Sequence, residues 1–588
     1  MKELQYINKY FIKYKYRFLL GLFITIVAQI FSLFTPELIG NSIKVIEDYV
    51  KSADKDVQLL KISLLKNISY ILITTIIAGF FTFLMRQTLI VMSRYVEFDL
   101  KNEIFNHYQN LSQSFYKRNR TGDLMNRISE DVGKVRMYVG PAVMYSLNTI
   151  MRFTIVIIYM YNISPKLTLY SLLPLPLLSY SIFKISSAIH KRSGAFQQNL
   201  SNLFSFTQEI FSGIRVVKAY AIEYKKQNEF LSLTQQSKTK AMNLAKVNSL
   251  FGPLMILLIG LSNLVVIYVG GTMYIANDPE ITSIGVIAQF ILYINMLTWP
   301  VASLGWVSSL VQEAEASQKR INEFLKEEPD IKNNVLEHTT VEGSIIFDKV
   351  SFTYEDTNIK ALQDISFHIE KGKTLAILGK TGSGKSTILS LISRLYDTTG
   401  GAILVDKKPI KNLNLYDLRN QISVVPQDAF LFSDSIKNNI KFGNENASDE
   451  EVIEAAKKAV VHNNIITFND QYETVLGERG ITLSGGQKQR VSIARALIKN
   501  APILLLDDCL SAVDTETEET ILNNLLTYCK NKTTIIVSHR ISSAKNADHI
   551  IILQEGKIIE QGTHNQLLEL NGYYKQLYVK QLSEKEIY

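Results

Sequence analysis

Long apolar segments dominate the first 310 residues of the chain and limit what it can fold into. A helix needs about 20 mostly apolar residues to cross the hydrocarbon core of a bilayer. Six segments reach that length, and most are too long for the buried helices of a soluble protein. We therefore predict an all-α transmembrane domain over residues 1–315, with helices at about 17–38, 68–91, 138–161, 167–189, 249–276 and 284–310.

Basic residues in the connections indicate how these helices are oriented. The N-terminal stretch and the connections after the second and fourth segments are rich in lysine and arginine, whereas the links after the third and fifth are not. Because cytoplasmic loops carry this excess, both termini are predicted to be cytoplasmic. The same residues account for the net charge of +8. Nucleic-acid binding is not expected, since no basic stripe with interleaved aromatic residues is present.

Two features of the membrane half bear on mechanism. The two long cytoplasmic connections are rich in helix-forming residues with recurring apolar positions, so the membrane helices are predicted to extend into the cytosol. Arg152 lies inside the third apolar segment, and intramembrane charges are costly and often functional. Two hypotheses remain open for Arg152. It either snorkels or pairs with a carbonyl, or it faces a cavity and favours anionic or amphiphilic cargo.

The remainder of the chain has short apolar strands between polar helices, which predicts a linker at 316–340 and an α/β domain over 341–588. A G-x-x-x-x-G-K-S pattern follows an apolar strand and precedes an apolar helix, as in a phosphate-binding loop. Its glycines let backbone N–H groups surround phosphate oxygens, and the helix N-terminus favours negative charge. The predicted phosphate-binding residues are Gly379, Lys380, Thr381, Gly382, Ser383, Gly384, Lys385, Ser386 and Thr387.

Two further strands end in polar residues suited to phosphoryl transfer. One is followed by Asp507 and Asp508, and the other by Ser538 and His539. Ligands of open α/β sheets bind at the carboxyl ends of the strands, so these side chains are predicted to converge on one crevice. The only cysteines, Cys509 and Cys529, indicate neither a disulfide framework nor a metal site.

The segment Leu483–Ser484–Gly485–Gly486–Gln487 resembles the signature of ATP-binding cassette (ABC) proteins, and further motifs follow in the order of that family. The resemblance extends over nearly the whole chain and is of the exporter type. It implies an ATPase that uses ATP and Mg²⁺, with the metal held by Ser386, Gln427 and Asp507. Catalytic roles would go to Asp508, His539 and Gln427, adenine stacking to Tyr354, and further nucleotide contacts to Ser484, Gly485, Gly486, Gln487 and Asp514.

The resemblance also implies partners and a location. Such domains pair head to tail, so the chain would be a half-transporter that moves a small hydrophobic or amphiphilic cargo, a drug or a lipid, through a bacterial cytoplasmic membrane. Short cytoplasmic coupling helices are expected near 112–121 and 212–221.

One residue departs from the family pattern. Most active members have glutamate where this chain has Asp508, and aspartate is shorter by one methylene. The departure favours the weak-site subunit of a heterodimer over a slow homodimer. A different class, an ATP-gated channel or regulator with little turnover, remains an alternative.

Overall fold

The structure, a computed structural model, describes residues 2–52, 56–477, 480, 482–510 and 515–586. Contacts divide the chain into two units. The first comprises Met1–Gln109 and Thr121–Glu327, and the second comprises Asn110–Arg120 and Glu328–Tyr588. The short segment Asn110–Arg120 thus belongs to the second unit although it lies between helices of the first.

The first unit is helical. A 3₁₀ turn at Glu3–Ile7 precedes α1 (Asn8–Lys13), and π-helical turns at Arg127–Asp131 and Tyr138–Ala142 flank α6. The other helices outside the second unit are α2 (Lys15–Lys51), α3 (Val57–Asn110), α5 (Thr121–Asn126), α6 (Val132–Met137), α7 (Val143–Ile163), α8 (Pro165–Leu172), α9 (Pro174–Ser212), α10 (Ile214–Ala219), α11 (Glu223–Asn248), α12 (Phe251–Ile275) and α13 (Ile284–Leu325).

Among the described residues, five helical stretches are long and apolar enough to cross a membrane: 15–51, 57–110, 121–163, 223–275 and 284–325. The fourth predicted span, 167–189, is divided between α8 and α9 at Leu173. Pro174 has no N–H to donate and so interrupts the hydrogen-bond ladder there. Helix α13 continues to Leu325, so the first ten residues of the predicted linker are helical. Short helices also occur at both predicted coupling positions, namely α10 and α4 (Gln113–Arg118).

Polar side chains inside the first unit bond to one another. Arg152 donates from Nε to Oε1 of Gln29 over 2.8 Å, and Gln29 donates from Nε2 to Oδ1 of Asn148 over 2.9 Å. The partner of Arg152 is therefore a side-chain amide. Helices α2 and α13 approach closely where Gly40 meets Gly285, because a Cβ added at Gly285 would lie 2.1 Å from the carbonyl oxygen of Gly40.

The second unit contains two sheets. The six-stranded sheet has the order β10-β9-β3-β8-β7-β6, and all neighbours are parallel except the pair β9 and β10. Its strands are β3 (Thr374–Gly379), β6 (Ile422–Val425), β7 (Ile503–Asp507), β8 (Thr533–Ser538), β9 (His549–Gln554) and β10 (Lys557–Gly562). An antiparallel sheet of order β2-β1-β4-β5 contains β1 (Ile345–Thr353), β2 (Lys360–Ile369), β4 (Gly400–Val405) and β5 (Lys408–Pro409).

Helices and two 3₁₀ turns, Ile410–Asn412 and Gln471–Glu473, complete the second unit. The helices after α13 are α14 (Lys385–Ile392), α15 (Leu415–Asn420), α16 (Ile436–Lys441), α17 (Asp449–Lys458), α18 (His462–Ile465), α19 (Gly485–Lys499), α20 (Thr515–Tyr528), α21 (Ile541–Ala544), α22 (His564–Glu569) and α23 (Tyr573–Glu586).

The register of the parallel strands places their functional ends together. Leu378 on β3 pairs with Ser538 on β8, and Asp507 on β7 pairs with Val537 on β8. The central strands are almost fully buried, which is why they appear in the sequence as continuous apolar runs. The loop after β3 and the residues after β7 and β8 therefore share one edge of the sheet.

Candidate nucleotide site

The loop between β3 and α14 has the backbone of a phosphate cradle. Gly382 and Gly384 have φ angles of +80° and +100°, a region that disfavours any side chain. A Cβ at Gly384 would also lie 2.4 Å from the carbonyl oxygen of Ala361. Gly384 precedes α14, so the loop ends at the N-terminus of a helix, where free N–H groups attract an anion.

Lys385 is buried inside this loop. Its ammonium donates to the carbonyl oxygens of Gly379 and Lys380, both over 2.9 Å. Burial lowers the pKa of Lys385, and the nearby carboxylates of Asp508 and Asp507 act in the opposite direction. The lysine is thus held at the loop with two carboxylates close by.

Ser386 and Asp507 come from different elements and meet at the sheet edge. Ser386 donates from Oγ to Oδ1 of Asp507 over 2.9 Å. Burial raises the pKa of Asp507, and the hydrogen bond from Ser386 lowers it in part. A hydroxyl and a carboxylate at this distance are hard oxygen donors of the kind Mg²⁺ prefers, and Mg²⁺ usually takes only one or two carboxylates plus phosphate oxygens. The pair therefore fits a magnesium ion that arrives with a nucleotide.

A further observation concerns the loop itself. Among the residues that the structure describes, the buried Oγ of Ser383, in the middle of the loop, has no hydrogen-bond partner. A buried hydroxyl normally has a partner, so a phosphate oxygen would satisfy this one.

Asp508 and His539 follow neighbouring strands. The backbone N–H of Asp508 donates to the carbonyl oxygen of Val537 over 2.9 Å, and its φ of +41° is in the left-handed region that aspartate tolerates better than most residues. The carbonyl oxygen of His539 accepts a hydrogen bond from Gln581 over 2.9 Å. His539 directly follows β8 and Asp507 ends the neighbouring strand β7, so both residues lie at the same edge of the sheet.

Tyr354 connects the antiparallel sheet to the phosphate loop. Its hydroxyl lies 3.1 Å from Oγ1 of Thr387, in the first turn of α14. Phe352 and Tyr396 stand nearly perpendicular to its ring, at centroid distances of 4.8 and 5.5 Å. These contacts hold the ring of Tyr354 beside the phosphate loop.

The predicted signature residues lie at the start of a different helix. Ser484 caps α19: it accepts from the N–H of Gln487 over 3.3 Å, and Gln487 accepts from the N–H of Ser484 over 2.9 Å. Ser484 and Gly485 are exposed, and no hydrogen bond joins the described signature residues to the phosphate loop. Gln427, two residues beyond β6, is exposed as well, and Asp514 lies outside the described residues.

Sequence reasoning missed two pairs near the site. Buried Glu518 accepts from Arg540, from Ser542 over 3.1 Å and from Ser543 over 3.2 Å, which anchors the chain directly after His539. Lys117 and Asp356 form an ion pair of 3.1 Å beside Tyr354. No motif marks either pair. The position of Asp356 two residues after Tyr354 is the only local signal.

Comparisons with known proteins agree with this geometry. The family model described as "ABC transporter transmembrane region" matches residues 18–301, and the model described as "ABC transporter" matches residues 362–511. These matches agree with the predicted order of a helical membrane domain followed by an α/β ATP-binding domain.

Individual relatives match over most of their length. The multidrug resistance-like ATP-binding protein MdlA of Buchnera aphidicola subsp. Baizongia pistaciae is 36% identical over 585 residues, covering 99% of both chains. The ATP-dependent lipid A-core flippase of Syntrophus aciditrophicus is 34% identical over 491 residues, 83% of this chain and 81% of that protein. The structure of a bacterial Atm1-family ABC exporter with ATP bound superposes with a TM-score of 0.78 at 25% identity, covering 96% of this chain and 98% of that one. The predicted fold class is confirmed by these matches.

Proposed function

Because the chain belongs to the ABC transporter family and joins a transmembrane region to its ATPase domain, we propose that it exports a drug or lipid. It is half of a dimeric exporter that uses ATP hydrolysis to move a hydrophobic or amphiphilic compound. The observation that carries the proposal is the contact between Ser386 and Asp507 beside the buried Lys385. This arrangement joins phosphate binding to a metal-competent carboxylate.

Each residue at the sheet edge takes a role that follows from its contacts. Lys385 exchanges its two carbonyl partners for the β- and γ-phosphates of ATP. Ser386 and Asp507 would hold Mg²⁺, with Gln427 as a third ligand. Bound there, Mg²⁺ would neutralise charge that develops on the phosphates during transfer. Tyr354 stacks on the adenine.

Hydrolysis needs a water molecule positioned in line with the bond that breaks. Asp508 accepts a proton from this water, and His539 and Gln427 orient the water and the γ-phosphate. Asp508 is one methylene shorter than the glutamate of the family pattern, which places its carboxylate about 1.5 Å further back. We infer a slow site in this chain and a heterodimer whose partner carries the faster one.

The exposed start of α19 supports the dimer. In this chain Ser484 and Gly485 lie at the exposed N-terminus of a 15-residue helix. Such a terminus binds anions, and here it is available to the γ-phosphate of a nucleotide on a second half-transporter. Asp514 is proposed to lie at the same interface.

Location and cargo rest on the pattern of charges and on the relatives. Both termini and the ATPase domain are placed in the cytoplasm, and the membrane is the inner membrane of a bacterium. The relatives include proteins named for multidrug resistance and for lipid A-core flipping. Both names concern amphiphilic or hydrophobic compounds, which is the cargo class we propose here.

The test uses the full chain in proteoliposomes with two cargo probes, a fluorescent cationic dye and a fluorescent phospholipid. ATP-dependent movement of either probe, lost in Lys385→Ala and retained in Lys371→Ala, would support export. Lys371 is a suitable control because it is exposed and pairs with Glu342 over 3.2 Å on a turn outside the loop. ATP-dependent ion conductance without probe movement would instead support the gated channel.

The same preparation distinguishes the two dimers. Turnover by the purified chain alone, lost in Asp508→Asn, would indicate a working homodimer. If the chain alone binds ATP without turnover, and turnover appears when a second half-transporter is co-purified from the native cell, the heterodimer is indicated.

A further inference from the structure

A lysine from the connection between α3 and α5 covers the ring of Tyr354. The Nζ atom of Lys117 lies 4.1 Å from the ring centroid, which is the geometry of a cation–π contact. The same ammonium is 3.1 Å from Oδ2 of Asp356 and 3.5 Å from its Oδ1. One side chain therefore engages both the proposed base-stacking ring and a carboxylate two residues further along the chain.

The segment that carries Lys117 is fixed against the rest of the second unit, to which it belongs. Asp330 accepts hydrogen bonds from the hydroxyls of Ser112, over 3.0 Å, and Ser114, and its own N–H donates to Ser112 over 3.1 Å. Phe115 is buried, with 5% of its surface exposed. These contacts hold α4 in place, so Lys117 remains near Tyr354 although the lysine itself is partly exposed.

Lys117 and Tyr354 border the same cavity. It has a volume of about 250 Å³ and is lined by Ser114, Lys117, Asp330, Tyr354 and Tyr396 among others. A cavity of about 150 Å³ admits a benzene ring, so this one has room for a purine. A base that stacks on Tyr354 needs an open ring face beside free volume, and Lys117 lies over this ring while it also lines the cavity.

We propose that Lys117 is a base-sensing residue that competes with adenine for the ring of Tyr354, so that a nucleotide base must displace it to bind. This inference rests on the proposed ATP site and adds a residue that recognises the base end of the ligand. Asp356 receives the displaced ammonium, so that Lys117 keeps an ion pair when it leaves the ring. Because Lys117 belongs to the connection between membrane helices, base binding alters a contact of that connection.

The competition predicts an effect confined to ligands that carry a base. An exposed cation–π contact contributes an amount equivalent to about a two- to five-fold change in affinity. Lys117→Met removes the competing ammonium and keeps a long apolar side chain. It should therefore tighten the binding of a non-hydrolysable adenine triphosphate by that factor and leave the binding of inorganic tripolyphosphate unchanged.

The experiment is calorimetric titration of the full chain in nanodiscs with the imido analogue of ATP and with tripolyphosphate, each in the presence of Mg²⁺. Lys117→Arg, which keeps a cation over the ring, should bind both ligands as the unmodified protein does. Lys371→Met is the matched control lysine and should change neither. Asp356→Asn removes the carboxylate that receives the displaced ammonium, so it should weaken binding of the analogue, the opposite direction to Lys117→Met, and leave tripolyphosphate binding unchanged.

Unchanged or weaker binding of the analogue by Lys117→Met would overturn the inference while the ATP site stood. A failure of both ligands to bind the unmodified protein, with no further change in Lys385→Ala, would overturn the ATP site and this inference together.

Discussion

Lengthening one side chain tests the proposed chemistry most directly. Asp508 directly follows β7, and its backbone is fixed by the hydrogen bond from its N–H to Val537. Asp508→Glu therefore advances the carboxylate by about 1.5 Å without moving the strand. A misplacement of that order costs ~10²-fold in rate, so correcting it should raise turnover by about that factor.

The substitution also has a structural cost. Asp508 has a φ of +41°, and aspartate tolerates this left-handed conformation better than glutamate does. We expect Asp508→Glu to lower the free energy of unfolding by up to about 1 kcal/mol while it raises turnover. A gain in turnover that accompanies a small loss of stability could not come from general stabilisation.

The assay is ATP hydrolysis at saturating ATP in nanodiscs, beside thermal unfolding of the same samples. Asp508→Asn is the control, because it keeps the size of the side chain and removes the proton acceptor. Turnover by Asp508→Glu at or below that of the unmodified protein, with nucleotide binding intact, would refute the assignment of Asp508 as the residue that limits the rate.

Three further predictions concern stability and are measured by thermal unfolding without nucleotide. In Gly382→Ala the new Cβ meets no atom within 4 Å, so the free energy of unfolding should fall by about 1–2 kcal/mol for the positive φ alone. Gly384→Ala adds a clash with the backbone of Ala361 and should lower it by ~3 kcal/mol or more. Equal losses in the two variants would contradict the close approach at Gly384. Arg540→Met leaves Glu518 buried without its cation and should lower the free energy of unfolding by about 2 kcal/mol. Arg540→Lys should recover part of this loss, and an unchanged stability in Arg540→Met would mean that the ion pair contributes nothing. The pKa of Asp507 is raised by burial, so its ionised form destabilises the fold at neutral pH, and this penalty falls as the pH drops through the folded-state pKa. Asp507→Asn should therefore stabilise the nucleotide-free protein at neutral pH by an amount that shrinks on acidification; a constant difference would contradict this sign.

Much of the geometry of the candidate nucleotide site could be predicted because each of its parts is local in sequence. The glycine spacing requires the positive φ angles that the structure contains at Gly382 and Gly384. An apolar run that ends in Asp507 is a buried strand whose last residue reaches the sheet edge. Parallel pairing then brings such ends together, which is why the contact between Ser386 and Asp507 follows from the order of the elements.

The membrane half was predicted less completely. Length and hydropathy identify apolar segments, but they do not show that Pro174 interrupts the helical hydrogen bonds between α8 and α9. The partner of Arg152 could not be predicted either, because Gln29 lies on another helix and 123 positions away. Its identity depends on how α2 and α7 pack.

The sequence by itself determined the two-part architecture and the glycine-rich loop between β3 and α14, because these depend on hydrophobic length and on short-range backbone geometry. The tertiary structure alone decided that Lys117 would meet the carboxylate of Asp356, which lies 239 positions away in the sequence. It also decided that Glu518 would anchor the chain beyond His539. Contacts of this kind depend on which surfaces pack together, and no local pattern of residues records that choice.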